Sequence, residues 1–273
     1  MPIEPGLGGV AETALWTLWF RSLEARRNDA VLSDPRAVDL VDSIDYPFAE
    51  RFGQLFPAQV HIQALRVLAF DLEVRRFLAN HPGGTVVALG EGLETQFWRV
   101  DNGSVRWLTV DLPGSVALRR RLLPEHDRQR SFAGSALDPA WTDLVNPGPG
   151  VLITAQGLLM YLRPEQVHAL VTMCARRLPG GTLVFDAVPP WMARLVGRGT
   201  PGYQPPPLRW TLRPAEIADL AAIDPAVAEV REVQAPRGRG VVGWLAPQLG
   251  RLPVVRRNRP VILALRFGAT AQA

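Results

Sequence analysis

The ten residues Val86-Val87-Ala88-Leu89-Gly90-Glu91-Gly92-Leu93-Glu94-Thr95 constrain the fold more than any other stretch of the chain. A short apolar, β-prone run delivers the backbone into a turn holding two glycines, and helix-forming residues follow. A strand that is apolar at successive positions has no water-facing side, so it belongs inside a sheet covered on both faces. The rhythm recurs. Runs at 85–89, 105–110, 131–133, 151–155, 182–188, 227–234 and 261–267 predict strands, and segments at 95–100, 114–123, 139–145 and 164–178 predict helices between the first five. This alternation predicts an α/β, Rossmann-like doubly wound fold with a mostly parallel seven-stranded sheet.

The first eighty residues predict a helical layer instead. Ala11, Ala14, Leu15, Leu18, Trp19 and Leu23 share one helical face, while Arg21, Glu24, Arg26 and Arg27 lie largely off it, which places these four at the surface. Ser33-Asp34-Pro35 caps a second helix, and a third runs over 60–79 to His81-Pro82-Gly83-Gly84. The expected organisation is an N-terminal helical lid, 1–80, and a ligand-binding domain, 81–273. Within the latter, the Pro- and Gly-rich stretch 189–214 predicts an irregular excursion over the sheet edge, and helices are expected at 214–222 and 241–249.

Composition removes several function classes. The 273 residues are 47% hydrophobic and 21% charged, which suits a globular core. All 30 basic residues are arginine, yet the net charge is only +4 and no basic stripe with interleaved aromatics exists, so nucleic acid is not an expected partner. The lone Cys174 excludes an internal disulfide and reads as a buried thiol. His61, His81, His126 and His168 have no metal-ligand spacing, and no metal is expected. With neither a signal-peptide pattern nor an apolar run near ~18 residues, a cytoplasmic protein off the membrane is expected. A small-molecule acceptor is the expected partner; a homo-oligomer is left open.

The chemistry starts at the glycine turn. Gly90 and Gly92 let the backbone approach a ligand closely, and the following helix presents free N–H groups. Asp111 ends the next strand at the distance where a carboxylate accepts hydrogen bonds from ribose hydroxyls, and Leu112 follows it. A dinucleotide fingerprint needs a third glycine where this chain has Thr95. Glu91 and Glu94 would also repel a pyrophosphate, whereas they suit a cationic, hydroxyl-bearing ligand. S-adenosylmethionine has ribose hydroxyls, an ammonium and a sulfonium, and no phosphate.

Longer motifs add to this: Glu12-Thr13-Ala14-Leu15-Trp16, Glu24-Ala25-Arg26-Arg27, Asp34-Pro35, Arg66 with Ala69-Phe70-Asp71, and the glycine turn continuing to Phe97-Trp98-Arg99. Asp111-Leu112-Pro113, Ser135-Ala136-Leu137-Asp138-Pro139-Ala140-Trp141, Gly157-Leu158-Leu159-Met160-Tyr161-Leu162 and Pro179-Gly180-Gly181 follow in order. With them the chain resembles the leucine carboxyl methyltransferase family, in particular its bacterial branch of polyketide carboxyl O-methyltransferases of the tetracenomycin type, over nearly its whole length. The resemblance implies a class I methyltransferase fold with S-adenosylmethionine as cofactor. It implies that Arg66 clamps the methionine carboxylate, that Gly90 and Gly92 form the turn beneath the cofactor with Glu91 and Glu94 beside it, and that Asp111 holds the ribose. Ser135, Ala136 and Leu137 would flank the adenine, Gln156 would lie at the methionine amino end, Tyr161 would face the reaction cleft, and Arg21 would offer a second carboxylate contact from the lid. Relatives commonly carry Glu where this chain has Gln156, so one charged hydrogen bond becomes neutral.

The expected activity is O-methylation of a carboxyl group, less readily a hydroxyl, on an aromatic or polyketide-like metabolite. A carboxylate is ionised at neutral pH and needs no general base, which suits a chain without an evident catalytic dyad. Trp16, Trp19, Trp191, Tyr203 and Trp210 are candidates to line the acceptor pocket. The competing expectation, motivated by Gln156, is a protein of this fold that binds cofactor or substrate without methyl transfer, as a non-methylating cyclase or binder.

Overall fold

A computed structural model describes residues 3–53, 55–199, 202–240, 243, 245, 248, 250 and 252–269. Seven strands form one sheet: β1 (Thr85–Leu89), β2 (Arg106–Asp111), β3 (Gln129–Ala133), β4 (Val151–Ala155), β5 (Thr182–Ala187), β6 (Val227–Glu232) and β7 (Val261–Phe267). Their order is β3-β2-β1-β4-β5-β7-β6. The first five pair in parallel, and β7 runs antiparallel to both β5 and β6. This is the mostly parallel, doubly wound sheet that the sequence predicts.

Alternation along β1 explains why it lies at the centre. Val87 and Leu89 face one core with Val110, Ile153 and the helix α7 (Pro164–Arg177) residues Val167, Leu170, Val171 and Cys174. Val86 and Ala88 face the other core with Phe70 and Val74 of α4 (Pro57–Asn80) and Phe97 of α5 (Gln96–Val100). Every β1 residue is buried, so no position of the strand needs to be polar. Cys174 is fully buried, and that burial pushes its thiol up to about 12.

Two short helices join α1 (Thr13–Ala25) in the N-terminal layer: α2 (Pro35–Ser43) and α3 (Phe48–Phe52). Leu15, Leu18, Leu40 and Phe52 pack there with Leu93, just past the glycine turn, and with Leu118 of α6 (Pro113–Leu122). Because α4 covers the sheet directly, the N-terminal layer and the sheet share their packing.

Three expectations are corrected. The stretch 189–214 is not wholly irregular: α8 (Pro190–Val196) forms where Pro190 sits in the first helical turn, which tolerates proline. Arg21 and Glu24 are buried rather than surface-facing, because each finds charged partners inside: Arg21 meets Asp34 and Glu94, and Glu24 meets Arg239. The stretch Pro214–Ala222 is a tighter 3-10 helix. The helix expected at 241–249 falls largely outside the described residues. Among the described residues, no helix is long and apolar enough to cross a membrane.

Candidate functional site

Strand order reverses between β1 and β4, and the crevice beyond the carboxyl ends of strands at such a switch point is where doubly wound sheets hold ligands. The glycine turn follows β1 at that point. Gly90 and Gly92 have φ of +62° and +53°, a region that side chains resist. A Cβ on Gly92 would come within 2.8 Å of the Ala14 Cβ on α1, and one on Gly90 within 3.0 Å of Leu158. The turn therefore combines an unusual backbone with close neighbours on both sides.

Asp111 ties the β2 tip to this turn. Its Oδ2 accepts from the Gly92 N–H at 2.6 Å and its Oδ1 from the Leu112 N–H at 2.7 Å. An ionised carboxylate offers about four lone-pair sites, so acceptor capacity remains for vicinal hydroxyls. Leu112 beside it is half exposed. The Asp111 carbonyl accepts from Gly134 N–H at 2.9 Å, which brings the Ser135-Ala136-Leu137 loop to the same edge. Trp141, fully buried, fixes that loop by donating from Nε1 to the Ala136 carbonyl at 3.0 Å.

The other end of the crevice lies over β4 and β5. Gly157 has φ of +70°, and a Cβ there would meet Arg66 Nη2 at 2.9 Å, so the guanidinium lies against the bare backbone. Asp186, at the end of β5, accepts from Arg66 Nε at 3.0 Å and from Gly157 N–H at 2.6 Å. Asp186 thus aims Arg66 while leaving its terminal nitrogens for an anion. Sequence reasoning missed Asp186; an acidic residue closing an otherwise apolar strand was the available signal. Tyr161 lies near Arg66 and Asp186; burial pushes its hydroxyl up, so it remains protonated at neutral pH.

Glu94 and Gln156 meet between these ends, with Gln156 Nε2 3.5 Å from Glu94 Oε2. The Gln156 Oε1 is buried and has no hydrogen-bond partner. Glu94 Oε1 accepts from Arg21 at 2.6 Å, from Arg99 at 2.7 Å and from the Thr95 N–H at 2.8 Å. Burial alone would raise the Glu94 pKa, but the Arg21 and Arg99 charges overcome it and hold the carboxyl at about 2. Arg99 also bonds Asp71 at 2.7 Å, and Asp34 bridges Arg21, Arg99 and the Thr95 hydroxyl at 2.7–3.1 Å. Asp34 is also the helix cap that the sequence predicts, accepting from Ala37 N–H.

The structure brings Arg66, Gly90, Gly92, Glu94, Asp111, Leu112, Gln156 and the loop at Ser135 together, but not Glu91 or Arg21. Glu91 turns away into the fold, bonded to Trp107 Nε1 at 3.1 Å and the Thr109 hydroxyl at 2.5 Å and paired with Arg119 at 3.2 Å. Burial raises its pKa, with Arg119 opposing. Arg21 spends Nη1 on Asp34, Glu94 and Thr95 and Nη2 on the Leu93 carbonyl, which leaves no terminal nitrogen turned to a ligand carboxylate. Among the aromatic candidates, Trp16 and Tyr203 approach one another at 6.2 Å. Trp19 stacks on Phe48, Trp210 packs in the core against Phe185, and Trp191 is exposed with its Nε1 on the Asn258 carbonyl.

The described histidines are elsewhere: His81 stacks on Phe77, His126 packs against Phe97, His61 accepts from the Arg239 N–H, and His168 is exposed on α7.

The chain is similar to several known proteins. Residues 14–175 match the family model described as leucine carboxyl methyltransferase. The tetracenomycin polyketide synthesis O-methyltransferase TcmP of Streptomyces glaucescens is 37% identical over 189 residues, 69% of this chain and 69% of its own. The S-adenosyl-L-methionine-dependent methyltransferase dpfgK of Gibberella zeae is 29% identical over 201 residues, 66% of this chain and 67% of its own. A solved O-methyltransferase family protein from Burkholderia thailandensis aligns with 96% of this chain and 71% of its own at 17% identity and a TM-score of 0.47.

Proposed function

The chain belongs to the leucine carboxyl methyltransferase family, whose members are S-adenosylmethionine-dependent methyltransferases, and on that premise we propose that it methylates the carboxyl group of a small aromatic or polyketide-like metabolite. The residues present fit the cofactor. A buried Gln156 oxygen without a partner, a carboxylate at one end and a guanidinium at the other match its ammonium, hydroxyls and carboxylate.

When bound, the cofactor supplies a methyl group made electrophilic by its sulfonium. Asp111 would take the ribose hydroxyls, Leu112 and the Ser135-Ala136-Leu137 loop would flank the adenine, and Arg66 would take the methionine carboxylate. Helix α1, seated on Gly92 through Ala14, would keep water from the cleft. Alignment and water exclusion together can contribute several kcal/mol.

One observation favours a carboxyl over a hydroxyl acceptor: no described histidine reaches the crevice, and Tyr161 there is held protonated. A carboxylate attacks without losing a proton, so such a site suffices for it, whereas a phenol or alcohol calls for a base. Trp16 and Tyr203 supply an apolar wall on the lid side. The test is incubation with methyl-labelled cofactor and a panel of aromatic carboxylic acids and matched phenols. Label is expected in base-labile esters of the acids. Label confined to base-stable ethers would overturn the carboxyl assignment, and product without label would favour the non-methylating reading that Gln156 motivates.

A further inference from the structure

Outside the crevice, a cavity of about 440 Å³ lies against the flank of β2 and β3, under α5 and α6. None of the residues lining it is among those assigned above to cofactor or acceptor. Its buried polar lining residues are Thr109, 2% exposed, and Arg119, 6% exposed, and both are bonded to the glycine turn. The Thr109 hydroxyl donates to Glu91 Oε2 at 2.5 Å. Arg119 Nη1 donates to the Gly92 and Glu94 carbonyls at 2.7 Å each, and its Nη2 is 3.2 Å from Glu91 Oε1. One guanidinium therefore holds the turn at three points and also forms part of the cavity wall.

The chemistry of the wall suits an anion. Arg120 of α6 and Arg130 of β3 line it and enter no ion pair among the described residues. With Arg119 they set three guanidiniums against two carboxylates, Glu125 and Asp127, which both belong to the loop joining α6 to β3. The counter-ion of Arg119 is Glu91, whose charged form burial disfavours, so it holds that guanidinium less firmly than an exposed carboxylate would. Trp98, Leu123 and Pro124 add apolar wall. The volume falls in the range of small-molecule sites, about 300–1,000 Å³, and exceeds what a lone inorganic ion fills.

We propose that this cavity is an effector site for a small organic anion, which meets Arg120 and Arg130 and draws Arg119 away from the glycine turn, so that its binding opposes that of the cofactor. The opposition rests on the proposed cofactor site; the anion site does not. An acidic group that reaches Arg119 competes with Glu91 and two backbone carbonyls for the same donors, and the turn loses the support that they give it. Linkage makes the effect mutual, so the cofactor must weaken the anion by the same factor.

Calorimetry tests this with phenyl phosphate and benzoate as anionic probes and benzyl alcohol as the neutral control. At least one anion is expected to bind saturably and to lower S-adenosylhomocysteine affinity by about 5-fold or more, within the usual span of coupling between sites. Which of the two acts identifies the acidic group, and benzyl alcohol should do neither. The double variant Arg120→Ala with Arg130→Ala, at exposed positions, should abolish the anion's binding and its effect. Its affinity for S-adenosylhomocysteine alone should stay within about twofold of wild type. Absence of binding by both anions, an anion effect that persists in the folded double variant, or anion binding that leaves S-adenosylhomocysteine affinity unchanged overturns the effector site. Failure of the wild type to bind S-adenosylhomocysteine overturns the cofactor reading and the opposition with it, whereas direct titration of the anions into wild type and double variant still decides the anion site.

Discussion

In the proposed site Asp111 would have two roles, and the first, which the structure shows, constrains the second. By accepting from Gly92 and Leu112 N–H groups it fixes the relative position of two strand tips, and its remaining lone pairs are then aimed rather than free. Asp111→Ala should lower S-adenosylhomocysteine affinity by about 10- to 100-fold, since hydrogen bonds to charged groups contribute about 1.5–3 kcal/mol each; calorimetry reads this, and an unchanged affinity would contradict the ribose role. Glu91 gives a pH prediction of definite sign. Its folded pKa is raised by burial, so the stability it confers is present below the ordinary value of 4.5 and is lost as pH rises through the raised value. Denaturation of the wild type across that window should show this loss, and Glu91→Gln should flatten it; an identical slope in the variant would contradict the assignment. Glu94 acts oppositely, its stabilisation being lost only as pH falls from 4.5 through about 2.

At the scale of elements, periodicity carried most of the fold. Strands β1 and β4 fall where apolar runs place them, because a strand buried on both faces leaves little room for polar side chains. Pattern reading failed at Arg21 and Glu24 for a definite reason: charge off the apolar face of α1 signals water only when no opposite charge waits inside, and those partners lie 73 and 215 residues away in sequence. The glycine turn and Asp111 were legible because they are local to two adjacent strands. Asp186 was not, since its role depends on α4 and the loop after β4 arriving at β5 from distant parts of the chain. The seat of α1 on the glycine turn gives the element-scale prediction. Gly92→Ala places a Cβ 2.8 Å from Ala14 Cβ at positive φ, so it should cost about 1–3 kcal/mol in chemical denaturation and loosen α1, seen as faster tryptic cleavage at Arg21, Arg26 or Arg27. Wild-type stability and cleavage rate would show that α1 does not depend on this contact.

For the whole molecule, two cores and one charged network serve a single crevice. The sheet's two faces are packed independently, by α7 on one side and by α4 and α5 on the other, so the strand tips are held while the N-terminal layer closes over them. That layer is fastened by ion pairs to the same turn that would hold the cofactor. The structure of the complex with S-adenosylhomocysteine tests this account most directly. It should show the ribose on Asp111, the carboxylate on Arg66 and the ammonium between Glu94 and Gln156, with the sulfur open toward Tyr161 and Trp16. A ligand seated anywhere other than the tips of β1, β2 and β4, or reversed so that its adenine lies over Arg66, would contradict it.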